Sequence, residues 1–522
     1  GGKALFTVVN KGTGPVPSGW KILFTQLPQR GNPCKDSKLV LKQICGSCWQ
    51  IEPRSGRVLQ SHESLTLCME NMAGIIRKSF YPHAPFAVIE GDEPVAVPLQ
   101  IDDSNSYLQS TNTDADYEKT IIDRSSLQMR VTDILPQVKS VRLMKGNFCK
   151  SNRFLIKVSD NSLLNEKEYA ETRLHTLGYK ESKGGITLSL KLCNTSAESI
   201  DESYSISLNG SVAEISASAA SGIFYGVVTL MAWMENSKTL PNLIAQESPD
   251  IHYRGLMIDV ARNFMPKNDL LHFMGLMSRY KLNVLHLHLT DDEGWRLEIK
   301  DLPELTSVGA HRGYSDNKDT CLPPAYSGGW NAVDAHNSGN GFYTADDFVD
   351  ILSYAKKYHI QVIPEFDFPG HSRAAIKSME ARAERMANTQ PEKASEFLLS
   401  DSTDKSIYTS AQGYHDNVMD VRLPGSVHFV HKGIEEVEAM YRAAGLKFTD
   451  IHIGGDEVPD GVWNGDKNAG CRFVADICRW IKARGINIAG WQEIANRDAM
   501  DSLTAYCWND ANGKVYSDMV SK

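Results

Sequence analysis

Residues 451–457 read Ile451-His452-Ile453-Gly454-Gly455-Asp456-Glu457: a short apolar run, two glycines, then two adjacent acids. The run is one of a series. Short apolar stretches at 255–260, 283–289, 361–366, 450–454, 487–490 and 504–508 alternate with helix-patterned stretches at 267–280, 344–358, 427–444 and 471–484. Strands alternating with helices predict a parallel sheet buried on both faces. Nearly every strand ends in Asp, Glu, His, Trp or Asn. Chemistry gathered at C-terminal strand ends predicts a TIM-type (β/α)8 barrel over 250–522.

The earlier part of the chain has a different grammar. Phe6-Thr7-Val8-Val9, Trp20 to Thr25, Phe86 to Ile89 and Val95 to Leu99 are short strand-like runs. Gly12, Gly14, Pro15, Pro17 and Gly19 punctuate the first two. Residues 1–127 are expected to form a β-sandwich that ends in a polar linker over 101–127. Residues 128–249 are expected to form a small α+β unit. There Ser205 to Leu208 and Val212 to Ile215 flank Asn209-Gly210, a strong hairpin signal. The uncharged run 215–234 would follow as one buried helix; its many Ser, Ala and Gly and its lack of basic flanks argue against a transmembrane segment.

Composition limits the function classes. The chain has 522 residues, 42% hydrophobic and 23% charged, which excludes disorder as its main state. Its formal charge of −9 disfavours nucleic acid as a partner. Ten cysteines over this length make no disulfide scaffold. The Cys45-Gly46-Ser47-Cys48 motif reads as a local disulfide or as packing, and Cys471 and Cys478 as core residues.

Three segments carry the chemistry. In Gly454-Gly455-Asp456-Glu457 the glycines permit an unusual turn, so two acids can face one site. Such a pair can divide its roles, one ionised and one with a raised pKa. Two exposed loop carboxylates are the plainer alternative. His286 and His288 share a strand face ahead of Asp291 and Asp292; they could be half a metal site or be hydrogen-bonded within the barrel. His371 follows Pro369-Gly370 just past a strand end, where it could tune a carboxyl group. Trp491 and Trp508 close the last two strands and would suit stacking on sugar faces.

Taken together, these motifs resemble the β-N-acetylhexosaminidases of glycoside hydrolase family 20. The resemblance rests on Arg254-Gly255 and Asp259 to Phe264, on His286 to Leu305, on Pro364 to Ser372, on His452 to Val458, on Gly490 to Glu493 and on Trp508. It extends from about residue 135 to the end; the N-terminal part looks like the carbohydrate-binding-like sandwich of chitobiase-type members. The resemblance implies Glu457 as general acid/base and Asp456 as the carboxylate that holds the substrate's 2-acetamido group. It implies Arg262 on sugar hydroxyls, Asp291 and His371 as supports of the acid/base, and Trp491 and Trp508 as pocket walls. It implies no metal and no cofactor, and a carbohydrate partner ending in N-acetylhexosamine. The expected reaction is substrate-assisted hydrolysis with retention, through an oxazolinium intermediate.

Only six strand signals occur where the family has eight, so a C-terminally incomplete barrel is expected. Two rivals remain at this point: a non-catalytic sugar-binding barrel, and a metal-dependent amidohydrolase built on His286 and His288. A glycan substrate and the absence of an initial Met suggest an exported protein. The sequons at 194–196 and 209–211 are weaker hints, the second being better explained as a turn.

Overall fold

The computed structural model describes residues 2–27, 32–34, 38–72, 80–102, 133–148, 151–193, 201–236, 239–317, 320–326, 328–496 and 503–509. The linker read at 101–127 falls almost wholly outside these residues, as does the sequon at 194–196.

The C-terminal half is a curled parallel β/α half-barrel. Its strands are β1 (Gly255–Asp259), β2 (Val284–Asp291), β3 (Gln361–Phe366), β4 (Asp450–His452), β5 (Asn487–Trp491) and β6 (Leu503–Tyr506), paired in that order. All five junctions are parallel. Helices α1 (Lys267–Arg279), α2 (Ala345–Lys357), α3 (Arg373–Thr389), α4 (Pro424–Ala443) and α5 (Lys467–Ala483) are interspersed between the strands. Burial explains the strand composition: every residue of β2 is buried, as a two-face-covered strand requires. Helix α2 shows how the local code works. Thr344 caps it by accepting from Asp347 N, and the Asp347 side chain returns the bond. Phe348, Ile351, Leu352 and Ala355 form its buried stripe, and Lys356 and Lys357 face the negative end of its dipole.

Two features differ from expectation. Helix α3 was not among the helical stretches read from the sequence. Its buried residues are Ala374, Ala375, Ser378 and Ala381, two arginines (Arg373 and Arg382) and only Ile376 and Met379 as large apolar groups, so small and charged residues replace the apolar stripe that pattern reading looks for. The run 215–234 is not a single helix. Ile215 to Ala217 complete a strand, Val212–Ala217, whose ladder with Tyr204–Asn209 runs to the Tyr204↔Ala217 pair. The helix begins only at Ala220 and is buried along most of its length. No helix among the described residues is long and apolar enough to cross a membrane.

That helix and the helix Leu164–Thr176 pack on a mixed seven-stranded sheet with a core of its own. Nearer the N-terminus lie two antiparallel sheets, of three and five strands. They bury one shared core, with Leu65, Leu67 and Met69 from one sheet and Phe24, Leu39 and Ile51 from the other. The Phe6 and Phe24 rings stack across it at 6.0 Å.

Candidate active site

The site lies at the C-terminal ends of the six strands. The Gly-Gly turn after β4 is left-handed, with φ of 64° at Gly454 and 89° at Gly455. A Cβ on Gly454 would overlap the Asp367 carboxyl, which accepts from Gly455 N at 3.0 Å. The glycines therefore allow both the turn and the close approach of an acid from the end of β3. Glu457 continues in the left-handed region (φ 46°), as does His371 (φ 48°). Such strain in non-glycine residues is concentrated at working sites.

The turn sets Asp456 and Glu457 around one imidazole. His371 Nε2 lies 3.4 Å from Glu457 Oε2 and 3.6 Å from Asp456 Oδ2. Its Nδ1 lies 3.1 Å from Asp291 Oδ1 and 3.5 Å from Asp292 Oδ2. Burial opposes charge on this ring, but Asp291 outweighs it and raises the His371 pKa well above the usual value. His371 thus stands between the two acids of the turn after β4 and those at the end of β2.

Glu457 departs from expectation. Its pKa is not raised but lowered, first by His371 and further by the Gln412 amide, which donates to Oε2 at 2.7 Å; half-burial works against both. Asp456 has a different asymmetry. Its Oδ1 is buried and has no hydrogen-bond partner among the described residues. A buried acceptor left open in this way has capacity for one incoming donor.

Arg262 follows β1 and is held by three carboxylates: Asp291 at 2.7 Å, Asp259 at 2.9 Å and Glu293 at 3.1 Å. Asp259 also accepts from the backbone N–H groups of Ala261 and Arg262, which fixes the loop. Glu293 is fully enclosed. Burial, aided by Asp291 and Asp292 and opposed by Arg262, pushes its pKa up to about 7. Tyr414 donates to its other oxygen at 3.1 Å.

Deeper in the half-barrel sits a second charge cluster. His286 Nε2 and His288 Nδ1 each lie 2.7 Å from Glu365 Oε2, and His452 Nδ1 lies 2.9 Å from Oε1. The other nitrogen of His288 meets Asp291 Oδ2 at 2.7 Å, so both of its nitrogens face carboxylates. Burial lowers the His286 pKa, whereas Glu365 and its neighbours overcome burial to raise that of His288 well above the usual value. His286, Glu365 and His452 bring possible ligand atoms within 4.8 Å of one another, as a metal would need. The imidazole nitrogens stand 2.7–2.9 Å from the Glu365 oxygens, close enough for ion pairing wherever a ring is protonated.

The two tryptophans are placed differently. Trp491 is half-buried, 4.7 Å from the His452 ring and 6.2 Å from Tyr506. Trp508 is 47% exposed, and its indole donates to Glu493 at 3.1 Å. The structure thus brings Asp291, His371, Arg262, Asp456 and Glu457 into one connected network, with Trp491 and Trp508 at the adjoining strand ends. Sequence reasoning did not single out Glu293, Asp367, Gln412, Tyr414 or Glu493. Glu293 and Asp367 carried a signal, as acids at strand ends. Gln412 and Tyr414 carried none, since they lie in an irregular loop.

Comparison with known proteins places the chain in a family and a fold. The model of the glycosyl hydrolase family 20 catalytic domain matches residues 251–522, and that of the family's domain 2 matches 131–246. A β-hexosaminidase of Vibrio vulnificus is 37% identical over 356 residues, covering 68% of this chain and 41% of that protein. An N,N'-diacetylchitobiase of Vibrio harveyi is 43% identical over 258 residues, covering 49% and 29%. The chain spans less than half the length of these curated relatives. In structure, an exo-β-N-acetylglucosaminidase from Vibrio harveyi superposes with a TM-score of 0.77 at 24% identity, over 99% of this chain and 78% of that one. A β-N-acetylhexosaminidase from Streptomyces coelicolor gives 0.57 at 21% identity, over 76% and 74%. The catalytic-domain match alone covers more than half of the sequence, and the chain belongs to glycosyl hydrolase family 20.

Proposed function

We propose that this chain carries the active site of a retaining exo-β-N-acetylhexosaminidase, which removes terminal N-acetylglucosamine or N-acetylgalactosamine from glycans or chitooligosaccharides. The observation that carries the reading is the pair Asp456 and Glu457. One has a buried oxygen awaiting a donor, and the other is a half-exposed carboxyl tied to a charged histidine.

In this reading the acetamido N–H of the sugar donates to Asp456 Oδ1, which turns the acetamido oxygen toward the anomeric carbon. That oxygen attacks C1 while the bond from C1 to the leaving oxygen breaks, and Glu457 gives its proton to the leaving group. The product of the step is an oxazolinium ion, whose positive charge Asp456 stabilises. Glu457 then takes a proton from water as the water attacks C1, and two inversions give net retention. A sugar ring over Glu457 removes water from it and raises its pKa, so the carboxyl takes up its proton as substrate binds. Arg262, held by its three carboxylates, binds sugar hydroxyls; Trp491 and Trp508 wall the pocket.

The curled sheet follows the (β/α)8 plan in this proposal. Residues 1–127 act as a carbohydrate-binding-like sandwich, 128–249 as the domain before the barrel, and a glycan substrate favours an exported enzyme. The test is turnover of 4-nitrophenyl N-acetyl-β-D-glucosaminide by the full chain, with the first-formed anomer read by NMR. β-Anomer formed first, and rates that fall as fluorine is added to the acetamido methyl, are the expected results. α-Anomer, or indifference to fluorine, rejects the mechanism; no turnover rejects the activity.

A further inference from the structure

The barrel does not hold its acids alone. The two-residue turn between the N-terminal strands Leu39–Cys45 and Cys48–Pro53 reaches the barrel loop that carries Gln412 and Tyr414. Gly46, Ser47 and Cys48 are all buried. Gly46 has φ 49°, and a Cβ there would overlap the Cζ and hydroxyl of Tyr414. The approach is mutual. Gly413 has φ 84°, and a Cβ there would collide with the Gln43 amide, which itself donates to Gly46 O at 2.7 Å. Ser47 Oγ accepts from Tyr326 N at 2.9 Å, fastening the turn to a second barrel loop.

Gln412 and Tyr414 flank Gly413, and each ends on a carboxylate of the site. Gln412 donates to Glu457 and Tyr414 to Glu293. We infer that Gly46 is a positioning residue for the acid/base: its bare backbone seats the Tyr414 ring, and so sets the loop that orients Glu457 and, through Glu293, Arg262. The N-terminal sheets are on this account part of the catalytic unit. The inference rests on the proposed activity for its consequence, but not for the contact itself.

The test compares two glycine substitutions in the full chain. Gly46→Ala adds a methyl group against Tyr414. Gly56→Ala carries the same left-handed strain, at φ 57°, with no atom within 4 Å of the new methyl. Amide exchange over 408–418 is expected to speed up about tenfold or more in Gly46→Ala and to stay unchanged in Gly56→Ala. For 4-nitrophenyl N-acetyl-β-D-glucosaminide, kcat is expected to fall about tenfold or more in the first variant, by more than any rise in KM, and to hold in the second. Gln43→Ala, which adds no atoms, should loosen the same segment to a smaller degree. Tyr414→Phe combined with Gly46→Ala should lose less than the product of the two single effects. Equal exchange in the two glycine variants, or strictly multiplicative losses in the double variant, overturns the inference. A chain without turnover rejects the proposed activity, and the exchange comparison still decides the role of Gly46.

Discussion

The rim of the site and the ring beneath it use the same residue types in opposite ways. In the ring, Glu365, His286, His288 and His452 are fully buried, and the three imidazoles stand 2.7–2.9 Å from the Glu365 oxygens. At the rim, Asp456 and Glu457 are partly open, and one buried oxygen has no partner among the described residues. A matched buried charge has little left for a ligand, because any new contact must displace an existing one. An acceptor at a partly open rim can be reached by a ligand, whereas the ring is sealed. The ring therefore reads as the support that holds His371 and Asp291 in place, and the rim as the part that meets substrate.

The contrast can be broken most sharply at Glu457. Glu457→Gln removes the proton donor, and kcat/KM for glycosides with poor leaving groups should fall about 10³-fold or more; near-normal steady-state turnover would end the assignment. Asp456→Asn keeps the shape but loses the charge that stabilises the intermediate. A loss of about 10²–10³-fold is expected, and it should shrink when the acetamido group is fluorinated. If the loss is the same across the fluorinated series, Asp456 does not act on that group.

Within the ring the expected effect is on stability. Glu365→Gln leaves His288 with only one of its two carboxylates, Asp291, and should lower unfolding free energy by about 3 kcal/mol, read from a urea midpoint. A midpoint close to that of the parent would show that the ring is not balanced by charge.

Two pH effects sharpen the comparison further. Glu457 is held low in the open site and rises when covered, so the basic limb of kcat should lie at higher pH than that of kcat/KM. Coincident limbs would count against proton uptake on binding. Glu293 has the opposite sign of shift. Its carboxyl lies near 4.5 in an open environment and about 7 in the fold, so the folded state binds more protons between those values. Stability contributed by the neutral form is present below pH 4.5 and declines as pH rises through 7. Glu293→Gln should flatten that decline, and an unchanged slope in denaturation scans from pH 5 to 8 would contradict it.

Much of this was legible in the chain. The six barrel strands were marked by apolar runs ending in polar residues, and only their ends shifted; β4 stops at His452 because Gly454 and Gly455 take left-handed values. Helix α3 was hidden because alanine, serine and two arginines make up most of its buried face. The hairpin strand was legible from Val212 to Ile215, but its end at Ser216 and Ala217 was taken into the helix reading because residues 215–234 are uniformly uncharged, and only the hairpin register separates the two elements. Among site residues, Asp456, Glu457, Asp291 and His371 stand beside breakers or at strand ends. Gln412 and Tyr414 have no periodicity to betray them.

The sequence by itself determined the order of strands and helices, the Gly-Gly turn and the acids that follow it, because these depend on local backbone freedom and on the spacing of apolar residues. Only the tertiary structure decided which of these groups are sealed together and which face the opening. It also decided that Glu457 is held low by His371, and that Gly46 meets Tyr414 across more than 360 positions of chain. Those outcomes depend on distances between residues remote in sequence, and on burial that turns modest charge interactions into dominant ones.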